Sequence, residues 1–249
     1  MTLDLSPRER IIIALDVGEV VQAETILSQA EAVVGKNKIG LEAISAGIGH
    51  ALGDRVIEGG GSVFWDGKWK DIPNTVAGAT KSLIKRLPRV WAFNVHASGG
   101  REMMEAAVQN KGDSKVLAVT VLTSLDDEKS HHLYGRDVKS AVLQMAYDAK
   151  DAGVDGIICS PQEVEMLRSK EDLANLLFVT PAIRPIWSVP NDQARPTTPR
   201  DAIFAGSTHL VIGRPITNPP GGRSIGEAVG LVVAEVGEAL TDLQKHRIV

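Results

Sequence analysis

Short apolar runs, many of them β-branched, recur along the chain at residues 11–17, 38–41, 62–68, 90–95, 116–122, 156–159, 177–180 and 210–212. Between them lie stretches whose pattern fits helices, at 20–33, 44–59, 75–87, 101–109, 140–152, 161–167, 199–205 and 225–245. Strand alternating with helix predicts a parallel sheet. Near-continuous apolar strands are what such a sheet needs when helices cover it, because both faces are then buried. Eight units of this kind in 249 residues match a closed (β/α)8 barrel, read as one domain over residues 1–249. A doubly wound open sheet is the alternative architecture.

The barrel reading makes a test possible within the sequence. Active sites of such barrels lie at the C-terminal ends of the strands, so polar residues should gather there. Asp16 follows the first apolar run, Asp66 and Lys68 close the third, and His96 ends the fourth. Thr123 and Ser124 end the fifth, Arg184 follows the seventh, and Gly213-Arg214 end the eighth. The positions after strands seven and eight are where barrels often hold a phosphate, and an arginine fork suits a phosphate dianion. A phosphorylated ligand is the expectation.

The richest segment runs Phe64-Trp65-Asp66-Gly67-Lys68-Trp69-Lys70-Asp71-Ile72-Pro73-Asn74-Thr75, with two carboxylates and two ammonium groups crowded between Asp66 and Asp71. Side chains two apart on a strand point the same way, so Asp66 and Lys68 share one face. An ion pair at a strand end is a poor stabiliser, since desolvation can exceed the Coulomb gain, and perturbed charges of that kind suggest chemistry.

Composition narrows the partners. With 43% hydrophobic and 23% charged residues and a net charge of -4, the chain reads as a soluble globular protein and not a general binder of nucleic acid or anionic membranes. The single cysteine, Cys159, cannot form an internal disulfide, so a reducing compartment is expected, with Cys159 in the core. The apolar run from Ile11 is interrupted by Asp16, too soon for a signal sequence, and no stretch is long enough to span a membrane. The expected localisation is cytoplasmic. Residues 125–136, which include His131 and His132, read as a polar loop and not a metal site, and residues 187–199 as a long functional connection.

Beyond spacing, the chain resembles the orotidine 5'-monophosphate decarboxylase family, most closely its bacterial form. The resemblance rests on Ile12-Ile13-Ala14-Leu15-Asp16, Lys38-Ile39-Gly40-Leu41-Glu42, the segment from Asp66 to Thr75, Asn94-Val95-His96-Ala97-Ser98-Gly99-Gly100, Val119-Thr120-Val121-Leu122-Thr123-Ser124, Asp155-Gly156-Ile157-Ile158-Cys159-Ser160, Val179-Thr180-Pro181-Ala182-Ile183-Arg184-Pro185, Asp192-Gln193 and Val211-Ile212-Gly213-Arg214-Pro215-Ile216, in family order. It implies cofactor-free and metal-free loss of CO2 from orotidine monophosphate to give UMP, in pyrimidine biosynthesis. Lys68 would be the proton donor, Asp66 would face the substrate carboxylate, and Lys38 and Asp71 would complete the charge network. Asp16 and Lys38 would hold the ribose, Thr123 and Ser124 would lie beside the pyrimidine, and Arg184, Gln193, Gly213 and Arg214 would grip the phosphate. The resemblance further implies a homodimer in which Asp71 and Thr75 enter the neighbouring subunit's site, a lid at 187–199, and His96 as a structural histidine at the rim. Gly67, Trp69, Lys70 and Ala182 depart from the usual leucine, phenylalanine, histidine and glycine; Ala182 would restrict the backbone if that position needs positive φ. Two rivals are a Mg2+-dependent phosphosugar enzyme on the same scaffold and a catalytically silent nucleotide binder.

Overall fold

A computed structural model describes residues 5–30, 34–188 and 197–247. Eight parallel strands form a closed barrel: β1 (Ile11–Leu15), β2 (Lys36–Ile39), β3 (Ser62–Trp69), β4 (Val90–His96), β5 (Lys115–Val119), β6 (Gly156–Ile158), β7 (Leu177–Thr180) and β8 (His209–Ile212). Each strand pairs with its neighbours in sequence, and β1 closes on β8 with Ile11 opposite Leu210 and Ile13 opposite Ile212. Closure leaves no exposed sheet edge. The (β/α)8 expectation is met.

Helices clothe the outside: α1 (Val20–Ala30), α2 (Leu41–Ser45), α3 (Gly49–Glu58), α4 (Pro73–Arg86), α5 (Arg101–Gln109), α6 (Asp127–Tyr134), α7 (Val138–Asp151), α8 (Pro161–Arg168), α9 (Pro199–Ala205), α10 (Arg214–Thr217) and α11 (Ile225–Arg247). Three expectations need correction. The helix foreseen over 44–59 is split into α2 and α3, with Gly47 between them at φ 77°, a left-handed conformation that ends a helix. The polar loop foreseen over 125–136 contains α6. Asp126 caps it by accepting from Lys129 N–H at 2.9 Å, and Gly135 closes it in the left-handed region. Finally, the fifth strand stops at Val119 and not at 122.

Strand parity divides the core. On β1, Ile11, Ile13 and Leu15 belong to the layer under the helices, whereas Ile12 and Ala14 fill the barrel with Phe64, Ala92, Leu117, Leu177, Val179 and Val211. Cys159 is buried in the outer layer, as expected. The inward series on each strand, 12 and 14 on β1, 64 on β3, 92 on β4, continues upward into polar residues: Asp16, Asp66 with Lys68, and Asn94 with His96. The apolar plug therefore carries a polar floor for whatever sits above it. Among the described residues, no helix is long and apolar enough to cross a membrane.

Candidate active site

A cavity of about 470 Å3 opens at the C-terminal ends of the strands. Its wall includes Asp16, Lys38, Asp66 and Lys68 together with Arg184, Gly213 and Arg214, and Ala14, Phe64 and Val211. Seven of the sequence-predicted residues thus meet in one place, drawn from β1, β2 and β3 and from the ends of β7 and β8.

The charges alternate. Lys38 Nζ lies 2.6 Å from Asp16 Oδ1 and 3.1 Å from Asp66 Oδ2, while Lys68 Nζ lies 2.7 Å from Asp66 Oδ1. Exposure grades along this chain: the Lys38 and Asp66 side chains are each 9% exposed, Lys68 is 30% and Asp16 52%. Burial is the largest influence on the Asp66 carboxyl and pushes its pKa up, but Lys38, Lys68 and hydrogen bonds from Lys68 and Asn94 together outweigh it, and the net direction is down. For Lys38 burial is again the largest influence and pulls the ammonium down, yet Asp66 and Asp16 reverse it, and the net direction is up. Both groups are held charged. Gly40 makes room for this, since a methyl group at that position would overlap Asp16 Oδ1 and lie 2.8 Å from Lys38 Nζ.

The tip of β3 departs from a regular strand. Trp65 pairs with Phe93 and Trp69 with Val95, so Asp66, Gly67 and Lys68 together stand opposite the single residue Asn94. Such a bulge re-aims side chains at a barrel rim. Lys68 occupies it with φ 48°, a left-handed conformation that costs a non-glycine residue about 1–3 kcal/mol. Asn94 is buried, accepts from Lys68 N–H at 2.7 Å and donates through Nδ2 to Asp66 Oδ1 at 2.6 Å. Sequence reasoning gave Asn94 no role. Inward parity was the signal that could have found it.

Other predicted residues fall elsewhere. Asp71 is exposed beyond the tip of β3, where its carboxylate accepts from Ile72 N–H at 2.7 Å, and Thr75 is exposed in the first turn of α4. Neither lines the cavity of its own chain. Thr123 and Ser124 sit in the turn beyond β5 and are also absent from its wall, because the strand ends early and the chain has already left the barrel. Gln193 lies outside the described residues, as do most of the foreseen lid positions. The described neck of that connection is tied: Arg184 N–H donates to Thr197 O at 2.9 Å, and Ile183 bridges Thr197. Glu42 and Thr217 line the cavity without having been foreseen. Ala182 also lines it, at φ 65°, so the position does demand the conformation that alanine disfavours.

At the rim, His96 is half-buried. Burial first, then the neighbouring Lys70 and Lys68 charges, lower its imidazole pKa against the opposing pull of Asp66. It is held neutral. His131 and His132 lie side by side on α6, and among the described residues no three potential ligands gather to hold a metal ion.

The arrangement sets a buried, desolvated carboxylate between two ammonium groups in a cavity that two arginines also line. Comparison with known proteins fits that chemistry. The model of the orotidine 5'-phosphate decarboxylase / HUMPS family matches residues 9–229. The chain belongs to this family. It is 42% identical over 225 residues to the orotidine 5'-phosphate decarboxylase of Syntrophomonas wolfei, covering 86% of this chain and 92% of the relative. It is 38% identical over 247 residues to that of Heliobacterium modesticaldum, covering 95% and 99%. The crystal structure of orotidine 5'-phosphate decarboxylase from Lactobacillus acidophilus superimposes with a TM-score of 0.76 at 32% identity, covering 92% of this chain and 99% of that one.

Proposed function

We propose that the protein removes CO2 from orotidine 5'-monophosphate to give UMP in pyrimidine biosynthesis, with the Asp16, Lys38, Asp66, Lys68 chain of charges as its reacting end. The reaction follows from family membership. The roles of individual residues rest on geometry, and the observation that carries them is Asp66, buried between Lys38 and Lys68 at the cavity wall.

Loss of CO2 leaves an electron pair on C6 with no adjacent carbonyl to spread it, so the site must stabilise that charge directly. Lys68 stands at the cavity with its ammonium partly exposed, suited to stabilise the developing anion and deliver a proton to C6. Asp66, held ionised, would meet the substrate carboxylate and disfavour it relative to the neutral CO2 that leaves. Among the described residues, Asp66 is the carboxylate that holds the Lys68 side chain. A second carboxylate, Asp71 of a second copy of the chain, would enter with Thr75. Support for this homodimer is the exposure of Asp71 and Thr75 together with Ile72, an apolar side chain 65% exposed between them. Asp16 and Lys38 would take the ribose hydroxyls. Arg184, Gly213 and Arg214, with Gln193 from the lid, would take the phosphate, and that remote binding can be used to orient the ring over Lys68. Thr123 and Ser124 would reach the pyrimidine from outside the present cavity wall. No cofactor or metal enters the proposed step, and we place the protein in the cytoplasm.

Ultraviolet absorbance decay of orotidine 5'-monophosphate, run with and without EDTA, tests the reaction. Loss of absorbance that is insensitive to EDTA, with UMP as product, is the expected result; loss abolished by EDTA points instead to a metal-dependent enzyme. For the shared site, mixing inactive Lys68→Ala and Asp71→Ala proteins should restore part of the activity, because one of the two sites in each hybrid dimer is then intact. Absence of recovery with demonstrated subunit exchange would overturn the shared site and leave the reaction standing.

A further inference from the structure

We propose that Asn94, together with Gly67 between two tryptophans, is the positioning device for Lys68, clamping the β3 bulge from its two faces. This rests on the reading of Lys68 as proton donor. The bulge needs such a device. Two surplus residues in β3 interrupt the ladder to β4, and Lys68 sits there in a left-handed conformation that a lysine does not adopt without restraint.

On the inner face the restraint is the Asn94 carboxamide. Its oxygen accepts the Lys68 N–H at 2.7 Å, a donor the bulge has removed from the ladder, and its Nδ2 donates at 2.6 Å to the same Asp66 oxygen that Lys68 Nζ contacts at 2.7 Å. One amide thereby ties the backbone of Lys68 and the partner of its ammonium to a single buried point. A carboxamide does both, because its oxygen accepts on one side while its nitrogen donates on the other. An aspartate would still accept from the backbone but would set a second carboxylate against Asp66.

On the outer face the restraint is steric. Trp65 and Trp69 anchor the two ends of the bulge, each paired with β4, and their indoles close over Gly67. A methyl group at Gly67 would lie 2.8 Å from Trp69 Nε1 and 3.2 Å from Trp65 Nε1. Behind them Trp65 meets His50 edge-on with ring centroids 5.0 Å apart, and Trp69 packs on Phe93 at 5.3 Å. The indoles are therefore backed and cannot retreat freely. A side chain at Gly67 would push the bulge inward, toward the cavity, and carry Lys68 with it.

The test is steady-state decarboxylation by Asn94→Ala, Asn94→Asp, Gly67→Ala and the double variant Gly67→Ala/Trp69→Phe, alongside Lys68→Ala. Because displacement of a reacting group by about 1 Å can cost about 100-fold in rate, Asn94→Ala and Gly67→Ala should each lose kcat on that order. KM and the thermal shift given by UMP should stay within about threefold, since the phosphate grip is untouched. Asn94→Asp should lose kcat as well, because repulsion from Asp66 replaces the hydrogen bond that fixes it. Trp69→Phe, which removes the nearer indole nitrogen, should restore most of the activity of Gly67→Ala. If Asn94→Ala does not fold, Asn94→Asp and Gly67→Ala, which open no cavity, decide. Inactive Lys68→Ala with all four other variants at wild-type kcat would overturn the clamp alone. Active Lys68→Ala would overturn the reading beneath it.

Discussion

The two ends of the barrel solve the problem of buried polarity in opposite ways. At the N-terminal end, polar groups are finished off locally. Thr208 Oγ1 donates to Phe178 O and accepts from Phe178 N–H, both at 2.9 Å, and Ser114 Oγ donates to Val90 O at 2.7 Å. His209 is buried against Trp91, with ring centroids 4.8 Å apart, and burial followed by the charges of Lys36, Arg10 and Lys115 pushes its pKa down to about 3. It is neutral at any ordinary pH. At the C-terminal end, by contrast, two carboxylates and two lysines alternate, Asp66 and Lys38 are held charged, and the last lysine of the series opens into the cavity. Size does not separate the two ends. A cavity of about 740 Å3, larger than the active-site cavity, lies beside the N-terminal end, against Lys115, Arg168, Leu177 and Phe204. The difference is that the rim buries opposite charges against one another at a cavity, an arrangement suited to a charged ligand that completes the set.

That contrast predicts where substitutions change rate and where they change stability. Lys68→Ala should have the largest effect, lowering kcat about 1000-fold or more while leaving the melting temperature within a few degrees; comparable residual activity would remove Lys68 from the chemistry. Leu117→Ala, inside the barrel plug, should do the reverse, costing about 2–5 kcal/mol in a urea titration with kcat of the folded protein unchanged. Arg214→Ala should weaken substrate binding about 10-fold to 100-fold through KM, the worth of a charge-assisted contact to phosphate; an unchanged KM would take Arg214 out of the phosphate site.

The fourth prediction uses pH to separate the two ends. His209 has its folded pKa lowered from an ordinary value of 6.5 to about 3, so below pH 6.5 the unfolded chain binds a proton that the folded one refuses. Stability from this end is full above pH 6.5 and falls by up to about 1.4 kcal/mol per pH unit on acidification toward 3. Asp66 is depressed from an ordinary value of 3.8, so the rim network is lost only below that range. Urea titrations between pH 6.5 and 4 should therefore slope less steeply for His209→Gln than for wild type, even though His96 contributes to both. Equal slopes would show that His209 is not held neutral. Last and smallest, Ala182→Gly should relieve left-handed strain and raise stability by up to about 1 kcal/mol, visible as a higher urea midpoint.

Much of this was legible along the chain because β-strands have a period of two. Once the barrel is assumed, residues 12, 14 and 16, or 64, 66 and 68, must share a face, and the polar member of each series must sit above the apolar plug. Asp16, Asp66 and Lys68 follow from that rule, Arg184, Gly213 and Arg214 from their place after strands seven and eight, and Lys38 from the family resemblance alone. The end of β5 was not legible, since Val121 and Leu122 are as apolar as Val119, and the apolar run overshoots the strand. Nor was α6, whose polar face masked the signals of its caps, Asp126 and Gly135.

What the sequence by itself determined is the eightfold alternation, the closure it implies, and the types of charge delivered to one rim, because these follow from local periodicity and chain order. What only the tertiary structure decided depends on neighbours distant in sequence. Asn94 faces a bulge 26 residues away, Gly40 clears space for a lysine to meet a carboxylate 22 residues away, and Gly67 is small because two indoles converge on it. No local pattern encodes how many residues of one strand stand opposite a single residue of the next. That count, set by packing across the barrel, is what gives Lys68 its position.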